Sequence, residues 1–374
     1  MKPIIYADNA ATTKLSAEAF EAMKPYFINE YGNPSQPYSF SRGAKKAIRE
    51  AREIIACCIN SSPEEIYFTS GGTEADNWAI KGSAFSDLNK RVMITSSIEH
   101  HAVLNACASI ERLGYPVAYL NPDSDGVISE SNLSSIISRN TRLVSIMTAN
   151  NEIGTIEPIS KLAEISHKNG AIFHTDAVQA IGHIKVDVKD LGVDLLSASA
   201  HKFNGPKGIG FLYIKNGTPI VPLLDGGAQE HNLRAGTENV ASIVGMAIAL
   251  QNNCKAIDSN IIYLKGLEKL LLSILTEANF DFIYNGSNNR IPGNINISLK
   301  DANGEALLHR LDLMGIAIST GAACDSKDTK ISHVIKAIGV PNDYAEGTIR
   351  ISLSKDNTEE DIIKIVDGLK SILK

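Results

Sequence analysis

The feature that most constrains the fold of this chain is an alternation of short apolar runs with amphipathic segments between about residues 60 and 215. The apolar runs have the length and composition of buried β-strands, and helix-like stretches lie between several of them. Strand–helix alternation on this scale predicts an α/β sandwich around a largely parallel sheet. The predicted strands are Ile66–Phe68, Val92–Thr95, Leu143–Met147, Ala171–His174, Leu195–Ser197 and Ile209–Ile214, and the predicted helices are Thr73–Ala84, His101–Leu113 and Ile159–Lys168.

The pattern changes after Gly236, where a long helical segment from Val240 to about Leu275 leads into a smaller unit. At 374 residues the chain exceeds the roughly 100–200 residues of one domain, so we expect two domains. We predict a large α/β domain at 13–257 and a small α+β domain at 258–374. Residues 1–12 are expected to belong to the small domain. Its predicted strands are Phe282–Tyr284, Ile295–Leu299, Ile316–Ser319 and Thr348–Leu353, and its helices are Gly304–Leu313, Ser332–Ile338 and a terminal helix.

Composition excludes several classes of protein. A net charge of −6 speaks against the basic face of a nucleic-acid-binding protein, so we expect no direct contact with nucleic acid. No run approaches the roughly 18–20 apolar residues that cross a bilayer, and Asp8 precedes any apolar stretch of a signal peptide. We therefore expect a cytoplasmic protein without a membrane span.

The cysteines separate into two groups. They are five in number, mostly far apart, and include no C-x-x-C, which predicts neither a disulfide framework nor a metal site. Cys57, Cys58 and Cys107 lie in helical stretches and are expected to be small buried hydrophobic side chains. Cys324 instead follows a strand, among small and polar residues that permit loop motion, and such a thiol is the better nucleophile candidate.

Two motifs directly follow predicted strands, where the ligands of parallel α/β sheets collect. Thr69–Glu74 places two glycines at the start of a helix, which suits a phosphate, although a tight strand-to-helix turn explains it equally well. Asp176 follows another strand. It is either a helix N-cap, the more common role of a lone Asp, or the partner of a protonated ring nitrogen such as that of pyridoxal phosphate.

A third motif contains two candidate lysines. Lys202 follows an apolar strand and precedes a loop rich in glycine and proline, a position where functional residues are common. A partly desolvated lysine has a lowered pKa and can form a Schiff base. Lys207 competes for this role, but its place between Pro206 and Gly208 is more typical of the approach to the next strand.

Together these motifs resemble those of the cysteine desulfurases, enzymes that are similar to class V aminotransferases and supply sulfur for iron–sulfur clusters and tRNA thiolation. The resemblance runs from about residue 4 to 355. It implies fold type I of the pyridoxal-phosphate transferases, with a large α/β domain and a smaller α+β C-terminal domain. Its further signatures are Tyr6–Thr13, Gly32–Ser35, Thr69–Asn77, Glu99-His100, Asn150–Gly154, His201-Lys202 and Arg234–Asn239.

The resemblance implies a role for each candidate residue. Lys202 would form the Schiff base and move the substrate α-proton, Asp176 would pair with the pyridine nitrogen, and His100 would stack on the ring. Cys324 would attack the sulfur of L-cysteine and become a persulfide as alanine forms. The phosphate would be held by Gly72, Thr73, Ser199 and His201, with Thr237 contributed by the other subunit of a homodimer. Gln179 would hydrogen-bond the ring hydroxyl, and Asn151 and Arg350 would bind the substrate carboxylate.

Several positions depart from the pattern of the family. They leave the core chemistry in place but bear on the shape of the active-site entrance and on the choice of sulfur acceptor. The resemblance implies that this acceptor is a protein such as an iron–sulfur scaffold. The departures are Tyr38, Asp225, Ala228, His231, Thr320 and Ala322.

Other proteins of the fold are less consistent with these residues. A transaminase would need no thiol at Cys324, and a non-catalytic scaffold would not need the set Lys202, Asp176 and His100.

Overall fold

The computed structural model describes residues 4–320 and 331–373. Cys324 therefore lies outside the described residues. Strands occur in both parts of the chain: β1 (Ile5–Tyr6), β2 (Ile66–Thr69), β3 (Val92–Ser96), β4 (Val117–Leu120), β5 (Thr141–Ser145), β6 (Ile172–Asp176), β7 (Leu195–Ser199), β8 (Gly210–Ile214), β9 (Phe282–Tyr284), β10 (Asn294–Leu299), β11 (Ile316–Ala317) and β12 (Thr348–Ser352).

Helices alternate with the strands of the first part and cover those of the second. They are α1 (Ala17–Ile28), α2 (Arg42–Ile59), α3 (Gly72–Ser86), α4 (His101–Glu111), α5 (Glu130–Ile136), α6 (Ile159–Lys168), α7 (Val188–Leu191), α8 (Gln229–Asn232), α9 (Val240–Glu277), α10 (Gly304–Leu313), α11 (His333–Ala337), α12 (Asn342–Ala345) and α13 (Glu359–Leu373).

A seven-stranded sheet in the order β2-β8-β7-β6-β5-β3-β4 forms the centre of the molecule. Neighbours from β7 through β4 are parallel, whereas β8 runs antiparallel to both β7 and β2. The predicted α/β fold with a mostly parallel sheet is therefore confirmed. Strand β4 was not predicted from the sequence; it is an edge strand with one buried residue of four, so its apolar signal is weaker.

Consecutive residues of the central strands pack into different layers. Phe173 and Leu196 join the hydrophobic core on one face of the sheet. Their neighbours Ile172 and Leu195 join the cluster around Trp78 on the other face. Because side chains alternate along a strand, burial on both faces requires the near-continuous apolar runs seen in the sequence.

A second region has its own sheet and core. Strands β12, β10 and β9 form an antiparallel three-stranded sheet, and β1 pairs in parallel with β11. Helix α9 links the two regions: Leu250 belongs to the core under the large sheet, and Leu264 belongs to the core of the second region. The N-terminal Ala7 also packs into that second core. The domain division at 257/258 stays a prediction.

The expectation that no run is apolar enough to cross a membrane was wrong for helix α9. This helix contains a stretch that is long and apolar enough to do so by length and composition. Half of that stretch is buried inside the protein, and α9 packs against α1 and α2. A helix that is apolar on most sides suits a core position in a large fold.

The cysteines of the helices differ in exposure. Cys107 is buried, as expected, and burial raises the pKa of its thiol to about 12. The expectation of burial was wrong for Cys57, which is exposed, and for Cys58, which is only half-buried near the end of α2. The helical spacing alone could not show which face of α2 its last turn presents to solvent.

Candidate active site

A cavity of about 520 Å³ lies at the carboxyl ends of β6 and β7, beside the first turn of α3. Arg350 on β12 and Ser319 reach it from the second region. Thr237 is not among its lining residues. The sequence-predicted residues that line the cavity are Gly72, Thr73, His100, Asn151, Asp176, Gln179, Ser199, His201, Lys202 and Arg350.

The turn between β2 and α3 brings bare backbone close to the end of β7. Gly71 is the N-cap of α3 and has a φ of 150°, which L side chains rarely adopt. A Cβ on Gly72 would stand 2.7 Å from a methyl carbon of Val178, so any larger residue would require Val178 to move. The first-turn N–H groups of a helix have no partners within the helix, and Ser199 lies beside them. This end of the cavity is suited to an anion.

Asp176 is the last residue of β6, and its side chain is buried at the cavity wall. Burial raises the pKa of its carboxyl, and the nearby His100 and Lys202 oppose that rise. Its Oδ1 accepts a hydrogen bond from the backbone N–H of Val178 at 2.9 Å. A buried carboxylate is costly unless a cation or strong donors face it, so the cavity beside Asp176 favours a positively charged group.

Lys202 ends a short 3₁₀ turn, Ala200–Lys202, that directly follows β7. Its Nζ donates hydrogen bonds to the carbonyl oxygens of Ala10 and Ala11 at 2.6 and 2.8 Å. Its own carbonyl accepts one from Nε2 of His183 at 2.8 Å. Lys207 lines the same cavity, but its side chain is exposed. Lys202 is thus the lysine whose backbone and side chain are both anchored at the cavity.

Three histidines stand together at one side of the cavity. His100 caps α4, and its Nδ1 accepts from the N–H of Ala102 at 3.1 Å, which leaves Nε2 as the nitrogen that carries a proton in the neutral ring. Burial lowers the pKa of His100. The ring of His101 lies 4.9 Å from that of His333, whose Nε2 donates to the carbonyl of Glu99 at 3.1 Å. Sequence analysis identified only His100 of this group.

Arg350 projects into the cavity from β12 and is buried. Its Nη2 forms an ion pair with Oδ1 of Asp8 at 2.7 Å, and its Nη1 donates to the carbonyl of Asn151 at 2.9 Å. Its Nε has no hydrogen-bond partner among the described residues. Asp8 was quoted only as part of a motif, yet it holds the guanidinium in place from the N-terminal segment.

The loop that carries Asn151 is fixed by its neighbour Asn150. The Oδ1 of Asn150 accepts from the N–H groups of Glu152 and Ile153 at 2.9 and 3.1 Å, and its Nδ2 donates to the carbonyl of Ile98 at 2.9 Å. Asn150 is fully buried. Together with a second hydrogen bond from Nδ2 to Sδ of Met147 at 3.4 Å, these bonds use its whole amide, so the asparagine determines the path of the loop and the place of Asn151.

The segment that contains Thr237 is tied to the cavity through an ion pair. Arg234 donates from Nε and Nη2 to the two carboxylate oxygens of Glu74 at 2.8 and 3.0 Å. Glu74 lies in the first turn of α3 and lines the cavity. Burial acts to raise the pKa of Glu74, but Arg234 is the main group that lowers this pKa below its usual value. Thr237 itself is exposed, three residues further along.

Beside the cavity lies a buried polar layer that was not predicted from the sequence, and one of its members, Asp76, lines the cavity. His174 is fully buried on β6, and burial lowers its pKa to about 3. Its ring nitrogens lie 2.8 Å from the hydroxyl of Ser145 and 2.9 Å from that of Ser197. Asp76 of α3 is buried too, 3.7 Å from Nε2 of His174, and burial raises its pKa well above the usual range. A neutral His174 therefore packs next to Asp76.

Comparisons with known proteins agree with this geometry. The family model described as Aminotransferase class-V matches residues 5–365. A cysteine desulfurase IscS of Dictyoglomus turgidum is 48% identical over 376 residues, which cover 100% of this chain and 95% of that protein. A second cysteine desulfurase IscS, of Methanosarcina thermophila, is 46% identical over 99% of this chain and 92% of its own length.

The chain belongs to the cysteine desulfurases.

Solved structures of similar proteins support the same assignment. A NifS-like protein superposes with a TM-score of 0.93 at 38% identity and covers 99% of both chains. A cysteine desulfurase of Thermococcus onnurineus superposes with a TM-score of 0.88 at 26% identity, over 99% of this chain and 94% of that one. A structure described as SspA in complex with cysteine gives a TM-score of 0.83 at 35% identity, over 95% of this chain and all of that one.

Desulfurases of the class V aminotransferase family depend on pyridoxal phosphate, and the residues of this cavity fit that cofactor. The N-terminus of α3 with Gly72 offers a place for a phosphate, and the buried carboxyl of Asp176 at the cavity wall suits a protonated pyridine nitrogen. Lys202 brings an amine of the kind that bonds an aldehyde to the same cavity. Burial lowers the pKa of His201 to about 4, so its ring is neutral before a phosphate binds.

Proposed function

We propose that the chain removes sulfur from L-cysteine, leaving L-alanine, with Cys324 as the thiol that accepts the sulfur as a persulfide. The observation that carries the proposal is the single cavity in which Lys202, Asp176 and His100 of the first region meet Arg350 of the second. Among cavities of the described residues, this one combines an amine, a buried carboxylate, an imidazole and a guanidinium. These are the groups that this reaction on an amino acid requires.

Pyridoxal phosphate is the proposed cofactor, and each part of it has a matching group. Lys202 would bond its aldehyde carbon, Asp176 its ring nitrogen and Gln179 its ring hydroxyl. When bound, the cofactor supplies an electron sink for the charge left at the substrate α-carbon. The phosphate would lie against Gly72, Thr73, Ser199 and His201, with Thr237 added by a second subunit.

Lys202 is the proposed base for the α-proton. Its Nζ is held by two backbone carbonyls, which restrict the side chain to the side of the cavity near Ala10. With the substrate bound to the cofactor, the amine of Lys202 would be the group at this side of the cavity that takes up and returns the α-proton. His100, with its proton on Nε2, would pack against the ring and pass protons at the substrate side.

Arg350 and Asn151 would bind the substrate carboxylate. A guanidinium fits a carboxylate with two parallel hydrogen bonds. Asp8 holds Nη2 of Arg350 and the carbonyl of Asn151 holds Nη1, and the guanidinium still has further N–H donors for a substrate, among them the Nε that has no partner among the described residues. Asp8 therefore orients the guanidinium before the substrate arrives.

Cys324 completes the proposed reaction. Its thiolate would attack the sulfur of the substrate, form a sulfur–sulfur bond and leave the two electrons of the broken carbon–sulfur bond on the substrate carbon, which takes up a proton on the way to alanine. Ser319 at the cavity wall lies five residues before it. The sulfur would then pass to an acceptor protein such as an iron–sulfur scaffold.

A homodimer in the cytoplasm is the proposed state of the enzyme. Thr237 is exposed and does not line the cavity of its own chain, which suits a contribution to the site of a neighbour. Large apolar side chains are exposed between residues 20 and 40, and exposed apolar patches mark association surfaces. These side chains are Phe20, Phe27, Ile28, Tyr31, Tyr38 and Phe40.

The proposal is tested by incubating the purified protein with L-cysteine and measuring alanine and a persulfide on Cys324 in the same samples. We expect both products in the wild type. The variant Cys324→Ala should retain the visible absorption of bound pyridoxal phosphate but release no sulfide under a reducing agent. Cys57→Ala is the matched control and should behave as the wild type. Sulfide release by Cys324→Ala at the wild-type rate would contradict the role of Cys324.

A further inference from the structure

A second cavity, of about 220 Å³, lies between the end of α2 and the middle of α9. It shares no lining residue with the active-site cavity. Two cysteines, Cys58 of α2 and Cys254 of α9, line it together with apolar side chains and with Lys185 and Asp258. The proposed desulfurase reaction uses neither thiol.

The two thiols come from distant parts of the chain and meet at this cavity. Cys58 and Cys254 are separated by 195 residues in the sequence, and the packing of α2 against α9 brings both to the cavity wall. Each thiol affects the other: Cys254 raises the pKa of Cys58, and Cys58 lowers the pKa of Cys254. This direction favours Cys254 as the thiolate of the pair. Both side chains are half-buried, so the cavity gives a small solute access to them.

We propose that Cys58 and Cys254 are a redox modification site, at which a peroxide joins the two thiols in a disulfide between α2 and α9. Disulfides of intracellular proteins are mostly transient and redox-sensing, which fits two thiols that line one cavity and are not joined in a disulfide. The proposal is independent of the function proposed for Cys324.

The chemistry balances with hydrogen peroxide as the oxidant. The Cys254 thiolate attacks one peroxide oxygen, the O–O bond breaks, and a sulfenic acid forms on Cys254 as hydroxide leaves and takes a proton to become water. The Cys58 sulfur then attacks the Cys254 sulfur and displaces the second oxygen, which leaves as water with the Cys58 proton. Two electrons pass from the two sulfurs to the peroxide, and each chain loses two hydrogen atoms.

The backbone beside Cys58 is a helix end. Cys58 lies in the last turn of α2, which ends at Ile59 and is followed by Asn60 in a left-handed conformation. Helix ends are the parts of a helix that adjust most readily, and a disulfide brings its two sulfurs to about 2 Å from each other. Cys254, in contrast, is held in the middle of α9.

The site also lies behind the proposed cofactor lysine. Asn253, next to Cys254, donates from Nδ2 to the carbonyl of Phe203 at 2.8 Å, and Phe203 directly follows Lys202. Gly182 of the cavity wall packs against the side chain of Phe203, since a Cβ there would come within 2.7 Å of it. A disulfide at Cys254 would therefore bind α2 to the part of α9 that supports the lysine segment.

The test uses hydrogen peroxide and a pair of matched variants. Cys57 is exposed beside Cys58 but does not line the cavity, so Cys57→Ser keeps the proposed pair and Cys58→Ser removes it. Each full-length protein is treated with a small excess of peroxide, quenched with an alkylating agent, digested without reduction and analysed by mass spectrometry. Cys254→Ser is a second variant that lacks the pair and keeps Cys58.

We expect Cys57→Ser and the wild type to yield a peptide pair linked through Cys58 and Cys254 in most molecules, and a thiol reductant to reverse it. Both Cys58→Ser and Cys254→Ser should lack this linked pair. Any other crosslink that forms to the remaining thiol should be at least tenfold less abundant than the Cys58–Cys254 link of the wild type. Absence of the linked peptides from Cys57→Ser, or an equal yield of a Cys57–Cys254 link in Cys58→Ser, would overturn the proposal.

Discussion

The two sides of the active-site cavity are built in different ways. On one side, Asp176 and Ser199 are the last residues of adjacent parallel strands, and Lys202 follows a few residues later. On the other side, Arg350 comes from a strand of a different sheet and is held by Asp8, which lies 342 residues away in the sequence. One side depends on local sequence, and the other depends on the packing of two regions.

This difference has a physical consequence. The strand-end side belongs to a sheet whose strands are buried on both faces, so its geometry is fixed by the main core. The Arg350 side depends on how the second region sits against the first. We therefore expect substitutions on the strand-end side to affect the chemical step most, and substitutions on the Arg350 side to affect substrate binding.

The largest effect is expected for Lys202→Ala, because it removes both the cofactor bond and the proposed base. The loss of a positioned acid–base group alone costs about 10²–10⁴-fold in rate, so alanine formation should fall by more than about 1000-fold. Lys207→Ala is the matched control on the same cavity and should stay within about threefold of the wild type, since its side chain is exposed. Equal losses in both variants would show that the structure does not distinguish the two lysines.

Asp176→Asn should have the next largest effect. The amide has nearly the shape of the carboxylate but cannot stabilise a protonated ring nitrogen, and removing one partner of a buried ion pair costs about 3–5 kcal/mol. We expect kcat to fall by roughly 100-fold or more, with a change in the absorption spectrum of the bound cofactor. An unchanged spectrum and rate in Asp176→Asn would exclude an ionic role for this carboxylate.

On the opposite side, Arg350→Lys should raise KM for L-cysteine more than it lowers kcat. A lysine keeps the charge but loses the paired donors, and truncation of a buried charged hydrogen-bond partner costs about 2–5 kcal/mol, equivalent to about 30-fold or more in KM. Asp8→Asn, which keeps the size of the partner but removes its charge, should change KM by less than about tenfold, because Asp8 is partly exposed. A fall in kcat with no change in KM in Arg350→Lys would place this residue in the chemical step.

The smallest effect concerns the stability of the strand-end side in acid. Burial lowers the pKa of His174 to about 3, so below its unfolded pKa of 6.5 the unfolded chain binds a proton that the folded chain does not. Stability from this group is therefore full above pH 6.5 and is lost as pH falls toward 3. The unfolding free energy of the wild type should fall between pH 6.5 and pH 4.5. In His174→Gln this fall should be smaller by an amount on the order of 1–2 kcal/mol. Chemical denaturation at several pH values measures it, and parallel curves for the two proteins would contradict the assignment.

The sequence predicted the strand-end side of the site better than the Arg350 side, for a physical reason. Apolar runs and the residues that follow them are local signals, and the carboxyl ends of parallel strands must meet, so Gly72, Asp176 and Lys202 could be grouped from the chain alone. The pairing of Arg350 with Asp8 is a contact between distant segments that no local pattern encodes. Arg350 was found only through the family resemblance, and the role of Asp8 was not found.

The buried polar layer was missed for a related reason. Asp76, Ser145 and His174 lie inside segments that the sequence marks only as a helix and two strands, and nothing in their spacing shows that their side chains meet. His333 likewise joins His101 from a different region of the chain. In each case the signal is a charged or polar residue inside an apolar element, which indicates that a partner exists but does not identify it.

The most direct test of the central claim is to find which lysine carries the cofactor. The protein is loaded with pyridoxal phosphate, reduced with sodium borohydride, digested and analysed by mass spectrometry. We expect the reduced cofactor on Lys202 and nowhere else in the chain. Its recovery on Lys207 would contradict the account, because the backbone carbonyls of Ala10 and Ala11 anchor the amine of Lys202 at the cavity and the side chain of Lys207 is exposed.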